Sequence, residues 1–344
     1  MRVALDAQLA SGTATGIGEY VRGLAAALRA RGVDVAELAA PRLDPWRFDR
    51  RVLWDQVLLP LAARRARADV LHCASGTMPL RCGLPAVVTV HDVAWLRVQQ
   101  HARPYARAYF GRFALARYRR AARVAVDSRF SRDELLALGG FDPARVDVVY
   151  PGVARDVMEV VRRRDDAAPF VLAVGTVEPR KNLEVLVRAL AQLPGLRVVS
   201  VGPPTPYRER CAALAAELGV AARLQVRGYV PRAELLALYA GALAAAVPST
   251  YEGFGYGAAQ ALCAGVPLVA AGVSSLPEVV GAAAPLLAPH DVDAWAAALD
   301  AIARDPAAAD ARAAAVRGAA CERFGWDAAA RSVAALYAAA LEGG

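Results

Sequence analysis

The feature that most constrains the fold is an alternation of short apolar runs with longer helical stretches, met twice along the chain. In the first half "RVALDA" (2–7), "VDVAEL", "ADVLHC", "PAVVTVHD", "ARVAVDS" and "RVDVVYPG" read as strands. Helical periodicity falls between them, over "GIGEYVRGLAAALRARG" and around 53–66, 104–121 and 130–138. Strands that alternate with helices must pair in parallel, because a helix carries the chain back to the starting edge. The pattern lapses after Pro151, where "ARDVMEVVRRRDDAAP" is charged and has no clear strand. It restarts after Pro169 with "FVLAVG", "LRVVSVG", "RLQVRG", "ALAAAVPS" and "PLVAA", separated by helices from 183, over 207–218, 232–240 and 256–264. Residues 291–342 read as nearly all helix.

The expected class is therefore α/β, with two Rossmann-like domains whose parallel sheets face each other across a cleft. The boundary is placed at 165/166. A length of 344 residues fits two domains of about 150 residues each. Ligands of such sheets sit beyond the carboxyl ends of the strands, so the residues at those ends carry the functional question.

Composition narrows the partners. Residues 1–168 hold 27 Lys/Arg against 18 Asp/Glu, whereas the remainder holds 14 against 15. The basic half fits an anionic partner (nucleic acid, an anionic membrane surface or a phosphorylated substrate) or simply a solvated arginine-rich face. The five cysteines are scattered without a C-x-x-C, which indicates neither a disulfide framework nor a zinc site and points to a reducing cytosol. "MRVALDAQLASGTATG" lacks the shape of a signal peptide, and "LLALYAGALAAAVPS" is too short to span a bilayer. A cytoplasmic protein is expected, at most peripheral at the inner face of the membrane. The basic, aromatic stretch 102–124, with Tyr109, Phe110 and Phe113, would either lie on such a membrane or pack its rings on its own sheet.

Two loops stand out. In "VGTVEPRKNLEVL" a strand ends at Gly175, and Arg180 is followed by Lys181, the one lysine of the chain. Asn182 is placed to cap the next helix, whose N-terminus attracts phosphate. A planar guanidinium and a compact ammonium together would neutralise a diphosphate without a metal, though two solvated cations are the plainer reading. In "VPSTYEGFGYGAAQALCAGVPLVA" a strand ends near Pro248, Glu252 follows, and Gly253, Gly255 and Gly257 lead into a helix near Tyr256. A carboxylate beside exposed amides suits sugar hydroxyls, which need acceptors and donors together. A tight turn alone would also explain the glycines.

These two segments, some seventy residues apart, resemble the retaining nucleotide-sugar glycosyltransferases of family 4, the group 1 glycosyltransferases with the GT-B fold. "GIGEYVRGLAAAL", "VVTVHDVAW", "VDSRFSRDEL" and "VVYPGV" are similar to that family's amino-terminal patterns in the same order. The resemblance implies roles residue by residue. Arg180 and Lys181 would bind the donor diphosphate and stabilise the leaving nucleotide. Glu252 matches the first glutamate of an E-x7-E motif and would hold donor-sugar hydroxyls. The amides of Phe254, Gly255, Tyr256 and Gly257 would meet sugar and phosphate. Gly16 and Gly18 would close over the phosphate, His91 would lie near the reacting carbon, and Tyr229 and Val230 would flank the nucleobase. The second glutamate of the motif is Gln260 in this chain, which implies weaker or altered ribose binding.

The resemblance also implies an acceptor domain (1–165), a donor domain (166–325) and a final helix (326–344) that crosses back to the first. It implies a hexosyl transfer, mannosyl or deoxyhexosyl from a GDP donor by the "TGIGEY" type of amino terminus, to a glycan, a lipid-linked glycan or a small natural product. No cofactor and no metal is expected. "DVD" at 291–293 sits at a helix start, where aspartates cap. A partner subunit that binds nucleotide-sugar with little turnover remains the alternative.

Other classes fit less well. A nicotinamide dehydrogenase requires G-x-G-x-x-G after the first strand, and the glycines at 12, 16 and 18 do not match it. A pyridoxal-phosphate enzyme could use the single lysine and would absorb visible light. A nucleic-acid binder would show a recognition motif, and none is visible, so no nucleic-acid partner is expected.

Overall fold

The computed structural model describes residues 1–11, 16–94, 105, 108–164 and 167–343. They form two compact units, Met1–Gly152 with Gly325–Gly344, and Val153–Phe324.

The first unit is built on six strands: β1 (Arg2–Asp6), β2 (Asp34–Leu38), β3 (Val70–Cys73), β4 (Ala86–Val90), β5 (Arg123–Val126) and β6 (Val146–Val148). They pair in parallel in the order β2-β1-β3-β4-β5-β6, which reverses direction between β1 and β3. Alternation decides which face each side chain serves. Val70 and Val87 join the cluster of Leu24, Leu28, Val333 and Leu336. Their neighbours Leu71 and Val88 join Trp54, Leu59 and Tyr118 on the opposite face. Both faces are apolar because helices cover both.

One covering helix runs from Phe48 to Arg65 and is π-wound over Trp54–Leu58, with Leu59 N–H donating to Trp54 O. Pro60 follows at once and has no N–H to give, which favours a wider turn just before it. The last helix, Trp326–Glu342, packs on the helix Gly16–Ala30. The Trp326 indole fills the space left by two glycines, since a Cβ on Gly23 or Gly152 would fall 2.2 or 2.1 Å from it. The aromatic stretch resolves in favour of packing at Tyr109, which is 9% exposed and lies under the Arg117 guanidinium. Phe113 is 60% exposed, and residues 102–104 and 106–107 lie outside the described ones.

The second unit also has six parallel strands: β7 (Phe170–Val174), β8 (Arg197–Val201), β9 (Leu224–Arg227), β10 (Ala244–Val247), β11 (Leu268–Ala271) and the two-residue β12 (Leu286–Leu287). Their order is β12-β11-β10-β7-β8-β9, so the direction reverses between β7 and β10. Trp295, Tyr239, Leu172 and Leu186 are fully buried in its core.

The division falls at Gly152/Val153, earlier than the 165 read from the sequence. Residues 153–164 are stitched to the second unit by arginines. Arg162 donates to Tyr239 O (2.6 Å) and Ala242 O (2.5 Å), and Arg317 donates to Val160 O (2.9 Å). Side chain-to-carbonyl bonds of this kind leave no periodic trace in a sequence. The chain returns to the first unit at Phe324/Gly325, so the final helix belongs with residues 1–152.

Candidate active site

In an open parallel sheet the helices on either side of a reversal point leave a crevice at the strand ends. In the second unit that point lies between β7 and β10, and the two loops singled out above follow these two strands. They are tied together by backbone and side chain. Thr250 N–H donates to Arg180 O (2.8 Å), and its hydroxyl reaches the same oxygen (3.2 Å).

Asn182 departs from its expected role. It precedes the helix Leu183–Leu190 with left-handed φ/ψ (52°, 43°), but its side chain does not cap that helix. Its Nδ2 donates to Pro248 O (3.1 Å) and Pro289 O (2.7 Å) and so pins the loop after β7 to the end of β10. The first turn of that helix is partly used as well, because Glu184 N–H donates to the Tyr207 hydroxyl (3.3 Å).

The charged groups meet on Glu252, which is 6% exposed. Lys181 Nζ lies 2.6 Å from Glu252 Oε1, and Arg180 Nη1 lies 3.2 Å from Oε2. Ser249 donates to Oε1 (2.7 Å), and Ser275 donates to the Glu252 carbonyl (3.0 Å). Burial alone would raise the carboxyl pKa, but Lys181 and Arg180 outweigh it and hold the group below its usual range. Arg180 also donates to Tyr251 O (3.0 Å) and pairs through Nη2 with Glu178 (2.8 Å).

Gly255, at φ 90°, opens the helix Tyr256–Ala264, and a Cβ there would meet Leu276 Cδ2 at 2.6 Å. Only glycine fits this backbone at no steric cost. The start of that helix, with Gly257, lies beside the end of β7, since a Cβ on Gly257 would be 3.3 Å from Val174 O. Phe254 is buried edge-on against Phe324. Gln260 is 4% exposed and accepts from the Tyr239 hydroxyl (3.0 Å), so its carbonyl is occupied inside the unit.

The sequence reading missed a row of glycines. Gly175, Gly202 and Gly228 end three neighbouring strands, and Gly202 N–H donates to Gly228 O (3.3 Å). A Cβ on Gly202 would fall 2.1 Å from Gly175 O. The signal was present in "AVG", "SVG" and "VRG". Beyond this row Tyr229 is 58% exposed while Val230 is buried. Asp291 accepts from Ala294 N–H (3.0 Å) as a helix cap, and Asp293 accepts from Gln192 (2.7 Å). Among the described residues no cluster of His, Cys, Asp and Glu could hold a metal ion.

The remaining expected residues belong to the first unit. Gly16 and Gly18 open the helix Gly16–Ala30, and residues 12–15 lie outside the described ones. His91 follows β4. Its Nδ1 lies 2.7 Å from Asp127 Oδ2 and its Nε2 lies 3.0 Å from Ala74 O. Both partners are acceptors, so the ring satisfies both only as imidazolium. Burial opposes that charge, yet Asp127, the Ala74 carbonyl and Asp92 raise the pKa to about 9. His72 is its opposite. It is fully buried between the Tyr337 hydroxyl (2.7 Å) and the Thr89 hydroxyl (2.8 Å), and burial with the His91 charge lowers its pKa to about 3.

Two parallel sheets, each with a reversal point, define a two-unit α/β protein built on Rossmann-like folds. A profile of the group 1 glycosyl transferases matches residues 155–320, and a profile of glycosyltransferase family 4 matches residues 14–157. The chain belongs to the group 1, family 4 glycosyltransferases. It is similar to the D-inositol 3-phosphate glycosyltransferase of Mycobacterium avium, at 35% identity over 235 residues, 64% of this chain and 55% of that protein. Identity to the Mycobacterium tuberculosis enzyme of the same name is 36% over 198 residues, 54% and 41% of the two chains. The chain thus matches about half the length of these curated relatives.

Its fold is that of sucrose-phosphate synthase from Thermosynechococcus elongatus (TM-score 0.78, 22% identity, 98% of each chain). It is also that of Anabaena HepE in complex with UDP and glucose (TM-score 0.76, 18% identity, 98% of this chain and 99% of that one). Both likenesses identify the GT-B fold. Among the described residues no helix is long and apolar enough to cross a membrane.

Proposed function

We propose that this chain transfers a hexosyl group from a nucleoside diphosphate sugar to an acceptor hydroxyl, with retention at the anomeric carbon. The observation that carries the reading is the convergence of Arg180 and Lys181 on Glu252 at the reversal point of the second sheet, within a group 1 glycosyltransferase sequence. In this reading the two cations take up the negative charge that grows on the departing nucleotide, and charge stabilisation of that kind is a large part of catalysis. Glu252, held ionised by its neighbours, accepts hydrogen bonds from donor-sugar hydroxyls. The departing phosphate oxygen takes the acceptor proton as the new bond forms on the same face, so no dedicated base is needed. In this reading Tyr229 flanks the nucleobase and His91 lies near the reacting carbon.

A nucleotide-sugar donor is in keeping with the UDP and UDP-glucose complexes of Anabaena HepE. The curated relatives act on a phosphorylated cyclitol by name, and the basic first unit suits an acceptor that bears an anionic group. A glycan, a lipid-linked glycan approached from the membrane surface and a small natural product all fall within this chemistry. Gln260 supports a second reading, a nucleotide-sugar-binding subunit of low activity, because its carbonyl is engaged by Tyr239.

A thermal-shift panel of nucleoside diphosphates and their sugars, on wild type and Lys181→Ala, tests the assignment, since stabilisation follows ligand occupancy. One nucleotide series should stabilise wild type and fail on Lys181→Ala. Equal responses in the two proteins, or none in wild type, would remove the site. Release of free nucleotide on addition of acceptor separates the enzyme from the binding subunit.

A further inference from the structure

The cations of the site are balanced by carboxylates of the same chain. Arg180 and Lys181 face two carboxylates, Glu178 and Glu252, so the four groups sum to zero charge. An arriving diphosphate must therefore displace a carboxylate or share its cations. The two candidates are not equivalent. The Glu252 side chain is 8% exposed and is held by Lys181, Arg180 and the Ser249 hydroxyl. The Glu178 side chain is 30% exposed, and among the described residues its carboxylate pairs with Arg180 alone.

The guanidinium is divided in the same way. Its Nη1 points inward to Tyr251 O and Glu252, and its Nη2 meets Glu178. We propose that Glu178 is the exchangeable counter-ion of the anion site: it holds the outer edge of Arg180 and gives that edge up to an arriving phosphate. This rests on the reading that Arg180 and Lys181 receive a diphosphate, and it adds a residue that sets how tightly.

The consequence is electrostatic. Glu178 competes with the ligand for one nitrogen, and its charge repels the incoming phosphate. It lowers the affinity for the donor and equally for the nucleoside diphosphate product, so its presence speeds release. The sign separates this from a structural role. A residue that merely orients Arg180 would weaken binding when changed, whereas a competing counter-ion tightens it.

Isothermal titration with UDP, GDP and inorganic pyrophosphate at fixed ionic strength, on wild type, Glu178→Gln, Glu178→Asp and Lys181→Ala, decides the matter. Glu178→Gln should bind the accepted nucleotide about three- to fivefold more tightly, the upper part of the range for a partly exposed charge pair removed from competition. Glu178→Asp keeps the charge and should stay within about twofold of wild type. If wild type binds, Lys181→Ala weakens binding and Glu178→Gln is unchanged or weaker, the counter-ion role is wrong while the donor site stands. If wild type binds none of the three probes, or Lys181→Ala binds as well as wild type, the donor-site reading fails and takes this one with it.

Discussion

Lys181 Nζ and Glu252 Oε1, 71 positions apart in the chain, lie 2.6 Å from each other at the adjoining ends of β7 and β10. The pair joins the two loops of the second unit that carry chemistry, and each partner depends on the other. Removing the lysine leaves a buried carboxylate with less compensation, which costs more than an exposed pair would. Lys181→Met should lower the stability of the unliganded protein by about 1–3 kcal/mol, and adding Glu252→Gln should recover part of it. Urea denaturation of the double-mutant cycle measures this. A coupling energy near zero would mean that the pair contributes nothing to the loop geometry.

Asn182 gives a sharper test of how these loops are held. Its αL backbone suits asparagine, aspartate and glycine, but only the amide donates to Pro248 O and Pro289 O. Asn182→Gly should therefore lose the two bonds without backbone strain. Asn182→Asp should be worse, since it sets a carboxylate against two carbonyl oxygens. The order asparagine, glycine, aspartate is expected in thermal midpoint, with about 1–3 kcal/mol for the glycine variant. Aspartate at wild-type stability would contradict the donor role.

Most of the framework could be read from the residues, and the reasons for the rest are physical. Eleven strands announce themselves as apolar runs, but Leu286–Leu287 is too short to show a period. Arg180, Lys181 and Glu252 stand out by type and by position at strand ends. Ser249 and Glu178, which set the geometry and charge of the site, are ordinary loop residues until the fold brings them together, and Asn182 reads as a helix cap although its amide instead ties the two loops. The restart after Pro169 drew the boundary to 165, yet Val153–Arg164 is bound through arginine-to-carbonyl bonds that no pattern of side chains records.

The histidines of the first unit predict a stability maximum in pH. His91 is raised to about 9 in the folded protein, so its contribution is complete below the ordinary value of 6.5 and is lost as pH rises through about 9. His72 is lowered to about 3, so its contribution is complete above 6.5 and is lost as pH falls toward 3. The depressed pKa of Glu252 adds to the acid limb in the second unit. Unfolding free energy by urea at pH 5, 6.5 and 9 should peak at the middle value. Asp127→Asn should flatten the alkaline limb, whose full height is at most about 3 kcal/mol. An alkaline limb unchanged in that variant would show that Asp127 does not hold the imidazolium.

The final helix offers the last prediction, because its attachment is both apolar and polar. Val333, Leu336, Tyr337 and Ala340 enter the core of the first unit, and the Tyr337 hydroxyl is one of the two side-chain partners of the buried His72 ring. Ending the chain at Phe324 would expose that face and leave His72 Nδ1 without a partner. The first unit should then lose cooperative unfolding and bind a hydrophobic dye, while the second unit, which ends at Phe324, keeps its own core. A milder change tests the same contact. Gly23→Ala puts a methyl 2.2 Å from the Trp326 ring inside the helix Gly16–Ala30. Alanine is the better helix former, so the expectation from propensity alone is stabilisation. Overpacking should win and cost about 1–3 kcal/mol, and Trp326→Leu in the same chain should relieve part of it. Stabilisation by Gly23→Ala alone would mean that the indole does not occupy the space between Gly23 and Gly152 in solution.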